Sequence, residues 1–134
     1  MKNFLDRVKE LGLPEGNYMV CGSGILDVLH IRPAQDVDIL VSSELFDKLE
    51  NEYGWKRHHK YTTTLEHPDG TSGAKQTLDF MKENYSLEEA LPLATYVEGI
   101  PFMSLEMLVN AKQQLGREKD LADIKLIEAF QTKE

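Results

Sequence analysis

Residues 20–41 read VCGSGILDVLHIRPAQDVDILV. The stretch divides into strand, tight turn, helix, loop and strand. Tyr18-Met19-Val20-Cys21 is an apolar run of strand length, and Gly22 interrupts it. Ser23 stands in the capping position of a short helix through Ile25, Leu26, Val28 and Leu29. Pro33 disfavours helix in the residue before it, so Arg32 to Gln35 reads as a loop. Asp36 to Val41 is then a second strand. Side chains alternate along a strand, so Val37 and Ile39 share the core face while Asp36 and Asp38 share the other, about 6.5 Å apart.

The chain outward from this stretch is mixed α and β. Phe4, Leu5, Val8 and Leu11 recur at helical spacing over residues 3–11, and Gly12 ends that helix. Ser42 or Ser43 caps a helix with Leu45, Phe46 and Leu49 as its apolar face. Residues 55–66 read as one polar, solvated strand. His67-Pro68-Asp69-Gly70 is a turn, and Lys75 to Met81 returns as a strand antiparallel to 55–66. Ser86-Leu87-Glu88-Glu89 fits a capping box, and Tyr96 to Met103 around Gly99 is a strand or tight hairpin. Ser104 caps a helix carrying Leu105, Leu108, Val109 and Leu115, which Gly116 terminates. A last helix carries Leu121, Ile124, Leu126, Ile127 and Phe130. This order predicts an α+β fold: a mixed, mostly antiparallel sheet flanked by helices, with helices at the C-terminal end, in one domain over residues 1–134.

Composition bounds the function. The chain has 134 residues, 41% hydrophobic and 28% charged, as expected of a globular domain with a real core. Its formal net charge is −8, which argues against broad binding to a nucleic-acid backbone. No apolar run approaches the roughly 18 residues of a membrane span. The charged start MKNFLDRVKELGL lacks the apolar centre of a signal peptide, so a cytoplasmic location is expected. Cys21 is the one cysteine and lies in an apolar strand, so it reads as a core residue. His58 and His59, adjacent on a strand, point to opposite faces and do not share a metal. Tyr53, Trp55 and Tyr61 read as packing residues before they read as a base-stacking surface.

Asp36 and Asp38 carry the chemistry. Two like charges this close raise each other's pKa, and a hard cation with oxygen ligands relieves the cost. Aspartate is depleted in strands, so its alternation on an apolar strand favours a metal-binding role over two solvent-facing acids. Gly22 lets an anion approach the backbone, and the Ser23 hydroxyl can donate to it. The plainer reading is an ordinary N-cap turn. Asp27 occupies the place of the third glycine of a dinucleotide fingerprint, and no P-loop motif is present.

Gly22-Ser23, twelve residues, then Asp36-Val37-Asp38-Ile39 resembles the motif of the nucleotidyltransferase superfamily, with its DNA polymerase β-like fold. The resemblance spans roughly residues 17–130. It implies a third carboxylate from a nearby strand, which Asp79 in Thr77-Leu78-Asp79-Phe80-Met81 supplies. Ser104-Leu105-Glu106, Lys112 and the run Arg117 to Ile124 resemble the helical tail of small bacterial stand-alone members, where basic residues help hold polyphosphate. It further implies Mg²⁺ or Mn²⁺ held by Asp36, Asp38 and Asp79, and a nucleoside triphosphate held by Gly22, Ser23, Lys112 and Lys119, with Arg117 a further candidate. The implied reaction moves NMP from the triphosphate to a hydroxyl of a small molecule or protein. A homodimer or a protein partner would complete so short a chain. The alternative is a non-catalytic partner or antitoxin of a two-protein module on the same fold. For Lys119, Asp120 and Asp123, salt-bridging within the helix competes with phosphate contact, and Arg32 either faces substrate or pairs with an acid.

Overall fold

The computed structural model describes residues 3–59, 63–79 and 84–132; the side chains of His58, His59, Thr63 and Asp79 also lie outside the described set. Helix α1 (Phe4–Glu10) opens on a capping box between Asn3 and Asp6 and buries Phe4 and Val8. Strand β1 (Tyr18–Cys21) is buried along its whole length. It turns at Gly22 into the five-residue α2 (Gly24–Val28). Strand β2 (Val37–Val41) follows, and Asp38 is its one exposed residue. Helix α3 (Ser43–Asn51) is capped by Ser42, whose hydroxyl accepts from the Leu45 amide, and buries Leu45, Phe46 and Leu49.

Three strands and a small ribbon follow. β3 (Lys56–His59) and β4 (Thr63–Glu66) form an antiparallel pair, and β5 (Ser72–Lys75) lies antiparallel to β4. The β4–β5 turn falls at His67–Gly70 as expected: Gly70 N–H donates to the His67 carbonyl at 2.9 Å, and Asp69 Oδ1 accepts from the Thr71 amide at 2.8 Å. β6 (Thr77–Asp79) pairs with β7 (Asn84–Ser86) as a separate two-stranded ribbon. α4 (Leu87–Ala90) carries the expected Ser86–Glu89 capping box. β8 (Thr95–Val97) and β9 (Ile100–Phe102) form a hairpin whose turn residues, Glu98 and Gly99, both have positive φ, as a tight two-residue turn requires. α5 (Leu105–Leu115) is capped by Ser104 and closed by Gly116 at φ 61°, and α6 (Glu118–Thr132) completes the chain.

The seven-stranded sheet has the order β3-β4-β5-β2-β1-β9-β8. β5–β2 and β1–β9 are parallel, and the other four pairings are antiparallel. The protein is α+β with a mixed, mostly antiparallel sheet and C-terminal helices. β1 and β2 lie at the centre, and Met19, Ile39 and Leu40 are fully buried there with Leu26, Phe46 and Phe102. No helix among the described residues is long and apolar enough to cross a membrane.

Three expectations are corrected. Residues 55–66 are two strands, because the chain reverses between His59 and Thr63 without the Gly, Pro or Asn that announces a turn. The strand returning against β4 is Ser72–Lys75, and Thr77–Asp79 belongs to the ribbon with β7; Met81 lies outside the described residues. The face that α6 buries is made by Asp120, Asp123 and Ile127, while Leu121 and Leu126 are 50% and 41% exposed.

Gly24 shows how tightly the first turn packs. A Cβ there would lie 2.8 Å from both Phe4 Cζ and Val20 Cγ1. Overpacking of this kind costs about 1–3 kcal/mol, against a helix-propensity gain of at most about 1 kcal/mol. Gly24→Ala is therefore expected to lower the urea midpoint with the m-value unchanged, which equilibrium unfolding checks.

Candidate functional site

Asp38 stands where three strands meet. Its Cα is in register with Cys21 of β1 on one side and Gly73 of β5 on the other. Glycines leave the carboxylate uncovered. Gly22 has φ +67°, a conformation that L side chains rarely adopt, and a Cβ on it would lie 3.4 Å from Asp38 Oδ2. A Cβ at Gly73 would lie 3.8 Å from Oδ1. Beneath the site, the Cys21 thiol donates to the Asp38 carbonyl at 3.4 Å, and burial pushes that thiol up to about 11. Cys21 is the core residue that its setting in the sequence indicates.

Two recesses meet at Asp38 and Lys75. One, of about 250 Å³, is lined by Asp36, Asp38, Thr64, Glu66, Ser72 and Lys75 among others. The second, of about 290 Å³, is lined by Gly22, Ser23, Lys75, Lys112 and Arg117, by the acids Asp38 and Asp120, and by apolar residues that include Leu78, Met103 and Leu108. Asp36 precedes the first hydrogen-bonded residue of β2, yet shares the first recess with Asp38 as strand alternation predicts. The Asp38 carboxyl is raised above the ordinary carboxylate range. Desolvation by the surrounding protein is the main cause, the Lys75 ammonium opposes it, and the Asp36 charge adds to it.

Lys75 escaped the sequence reading. It sits at the end of β5, opposite Leu40 in a parallel pairing. Nothing local to residue 75 announces that β5 runs beside β2.

Ser23 holds the N-cap position of α2, but its side chain makes no capping bond. Instead Arg32 Nη2–H donates to Ser23 Oγ at 3.1 Å. The same guanidinium grips Asp123 bidentately, Nε to Oδ1 and Nη2 to Oδ2, both at 2.7 Å. Lys112 Nζ lies 2.9 Å from Asp123 Oδ2 and 3.5 Å from Asp120 Oδ1. Asp120 also takes the Arg117 guanidinium, at 2.6 Å from Nε. Three cations therefore surround two buried carboxylates, next to the Gly22-Ser23 turn. Arg32 pairs with an acid, and Lys112 is a buried ion-pair partner that also walls the second recess. Lys119 is exposed on α6 and is not among the residues lining either recess.

Asp79 lies in β6, opposite Asn84. Its neighbour Leu78 lines the second recess together with Asp38. The Asp79 side chain lies outside the described residues, as do those of His58 and His59 and all of Tyr61. Among the described residues, no group of three His, Cys, Asp or Glu is placed to hold a metal ion; Asp36 and Asp38 are a pair. Trp55 is buried, against the edge of His67, and Tyr53 is exposed. No family model, curated protein or solved structure matches this chain.

The carboxylates of α6 make a pH prediction. The Arg32 guanidinium, with Lys112 beside it, holds the Asp123 carboxyl down at about 2 from an ordinary 3.8. A depressed acid stabilises the fold above its unfolded value and loses that contribution as pH falls through the folded value. Asp123 thus contributes about 2 kcal/mol at neutral pH, lost as pH falls from 3.8 to about 2. Asp123→Asn should lower neutral-pH stability and flatten the acid limb over that window, as measured by urea unfolding at stepped pH.

Proposed function

We propose that the chain is a metal-dependent nucleotidyltransferase with the polymerase β-like fold, transferring NMP from a nucleoside triphosphate to a hydroxyl. The observation that carries this reading is the position of Asp38. It shares a recess with Asp36, it is flanked by Gly22 and Gly73, and it borders a second recess whose lining includes Lys75, Lys112 and Arg117. A divalent cation fits the pair: the desolvated Asp38 carboxyl, raised further by the Asp36 charge, is the kind of group that a cation relieves. Asp36 and Asp38 would hold Mg²⁺ or Mn²⁺, with Asp79 as the third ligand that the family resemblance implies. Such a cation, when bound, lowers the pKa of an attacking hydroxyl and neutralises charge on the leaving pyrophosphate.

The chain's own groups supply the rest. The second recess suits the triphosphate: Ser23 can donate a hydrogen bond, Lys75, Lys112 and Arg117 bring positive charge, and Leu78, Met103 and Leu108 offer apolar surface to the base. The first recess suits the acceptor. Its volume fits a small molecule or one protein side chain, and Thr64 and Ser72 can exchange hydrogen bonds with a hydroxyl. The acceptor oxygen bonds to the α-phosphorus as the bond to pyrophosphate breaks, and the hydroxyl proton passes to a carboxylate, for which Asp79 is the candidate.

A second reading is a non-catalytic protein on the same fold that works as the partner or antitoxin of a two-protein module. Leu115, Leu121 and Leu126, exposed on α5 and α6, favour it. Robust NMP transfer by the isolated chain would remove it.

Two measurements test the leading reading. Calorimetry with ATP, CTP and GTP is expected to show binding that requires Mg²⁺; binding of none of them under any metal condition would end the proposal. Mg²⁺ at about a hundredfold over its Kd should raise Tm by about 10 °C. Asp36→Asn with Asp38→Asn should abolish that rise, and should itself lift Tm in chelator, because a carboxylate with a raised pKa costs stability whenever it is ionised. An equal metal response in both proteins would identify ordinary surface acids.

A further inference from the structure

Asp123 is at odds with a simple phosphate-binding recess, as is Asp120, which lines that recess directly. Asp123 is an acid, 6% exposed, set among the cations that would attract an anion. We infer that Arg32 and Asp123 are positioning residues for the polyphosphate: together they turn the Ser23 hydroxyl into a hydrogen-bond donor and hold the Lys112 ammonium at the recess wall. This rests on the proposed use of that recess, and it gives Arg32 and Asp123 a joint role behind the recess wall.

A guanidinium only donates, so in the Arg32–Ser23 bond of 3.1 Å the serine oxygen is the acceptor. The serine proton is then free for another partner. Arg32 cannot drift, because three more of its N–H groups are engaged: two by Asp123 at 2.7 Å and one by the Pro33 carbonyl at 2.8 Å. Asp123 Oδ2 serves two cations, Arg32 Nη2 at 2.7 Å and Lys112 Nζ at 2.9 Å. One carboxylate therefore sets both a hydroxyl, through Arg32, and an ammonium, directly. Ser23 and Lys112 line the second recess, whereas Arg32 and Asp123 are not among its lining residues. Asp123 acts from behind the wall.

Electrostatics and positioning predict opposite signs. Asp123→Asn removes a negative charge, so a recess that merely attracts anions would bind them more tightly. Positioning predicts weaker binding, because Arg32 loses its fork and Lys112 its closest carboxylate. The probe is inorganic tripolyphosphate, titrated into the full chain by calorimetry with and without Mg²⁺. The expected result is a loss of about tenfold for Asp123→Asn, the scale of one charge-assisted hydrogen bond. Arg32→Lys keeps the charge but not the fork, and should lose several-fold. In a Ser23→Ala background, Arg32→Lys should cost little more, a non-additivity that a merely structural role would not produce. Arg32 is half-exposed, so its variants decide the matter if Asp123→Asn fails to fold. Unchanged binding by Arg32→Lys, full additivity with Ser23→Ala, or tighter binding by a folded Asp123→Asn would overturn the inference and leave the transferase reading standing. Failure of the unmodified chain to bind tripolyphosphate would instead remove the polyphosphate recess itself, and this inference with it.

Discussion

A carboxylate leaves water only if a cation goes with it, and α6 buries two. Asp120 and Asp123 sit three residues apart on the inward face, where a packing helix ordinarily places leucine. Breaking a buried pair by removing one member costs about 3–5 kcal/mol, so each partner is tied to its place. Lys112 comes from α5, Arg117 from the short connection between the helices, and Arg32 from the far side of α2. The C-terminal helices are thereby attached to the Gly22 turn through charge. This attachment gives the second recess its wall.

Asp38 is managed differently. Its neighbours are glycines and its nearest positive influence is Lys75, so its charge is left partly uncompensated. A protein selected for stability alone would place an apolar or paired residue there. The contrast is local: Asp123 is driven down by the cations it touches, and Asp38 is driven up by desolvation. The lowered Asp123 adds stability at neutral pH, whereas the raised Asp38 costs stability when it is ionised.

The sequence disclosed much of this, and its limits have physical causes. Period-two alternation placed Asp36 and Asp38 in one recess. Capping residues located the helices at Ser42, Ser86 and Ser104, and Gly116 located a helix end. Each signal is local, written within four residues. With one local exception, the failures are non-local. The hairpin between β3 and β4 has no turn signature. The parallel pairing of β2 with β5, which brings in Lys75 and Gly73, depends on a crossover. The ion pairs of α6 reverse its hydrophobic face, and a reading that assigns leucine to the inside cannot see a partner 91 positions away. The separation of Thr77–Asp79 into its own ribbon likewise needs β7 for its explanation.

That 91-residue separation also bears on how the molecule is made. At about 5–20 residues per second, translation needs on the order of ten seconds to go from Arg32 to Asp123. Until the last helix emerges, Arg32 has no carboxylate to grip and Ser23 has no anchored donor. The turn therefore gains its Arg32 anchor only after α6 has been made, and a ribosome-bound intermediate that lacks α6 would carry the turn without the means to hold it.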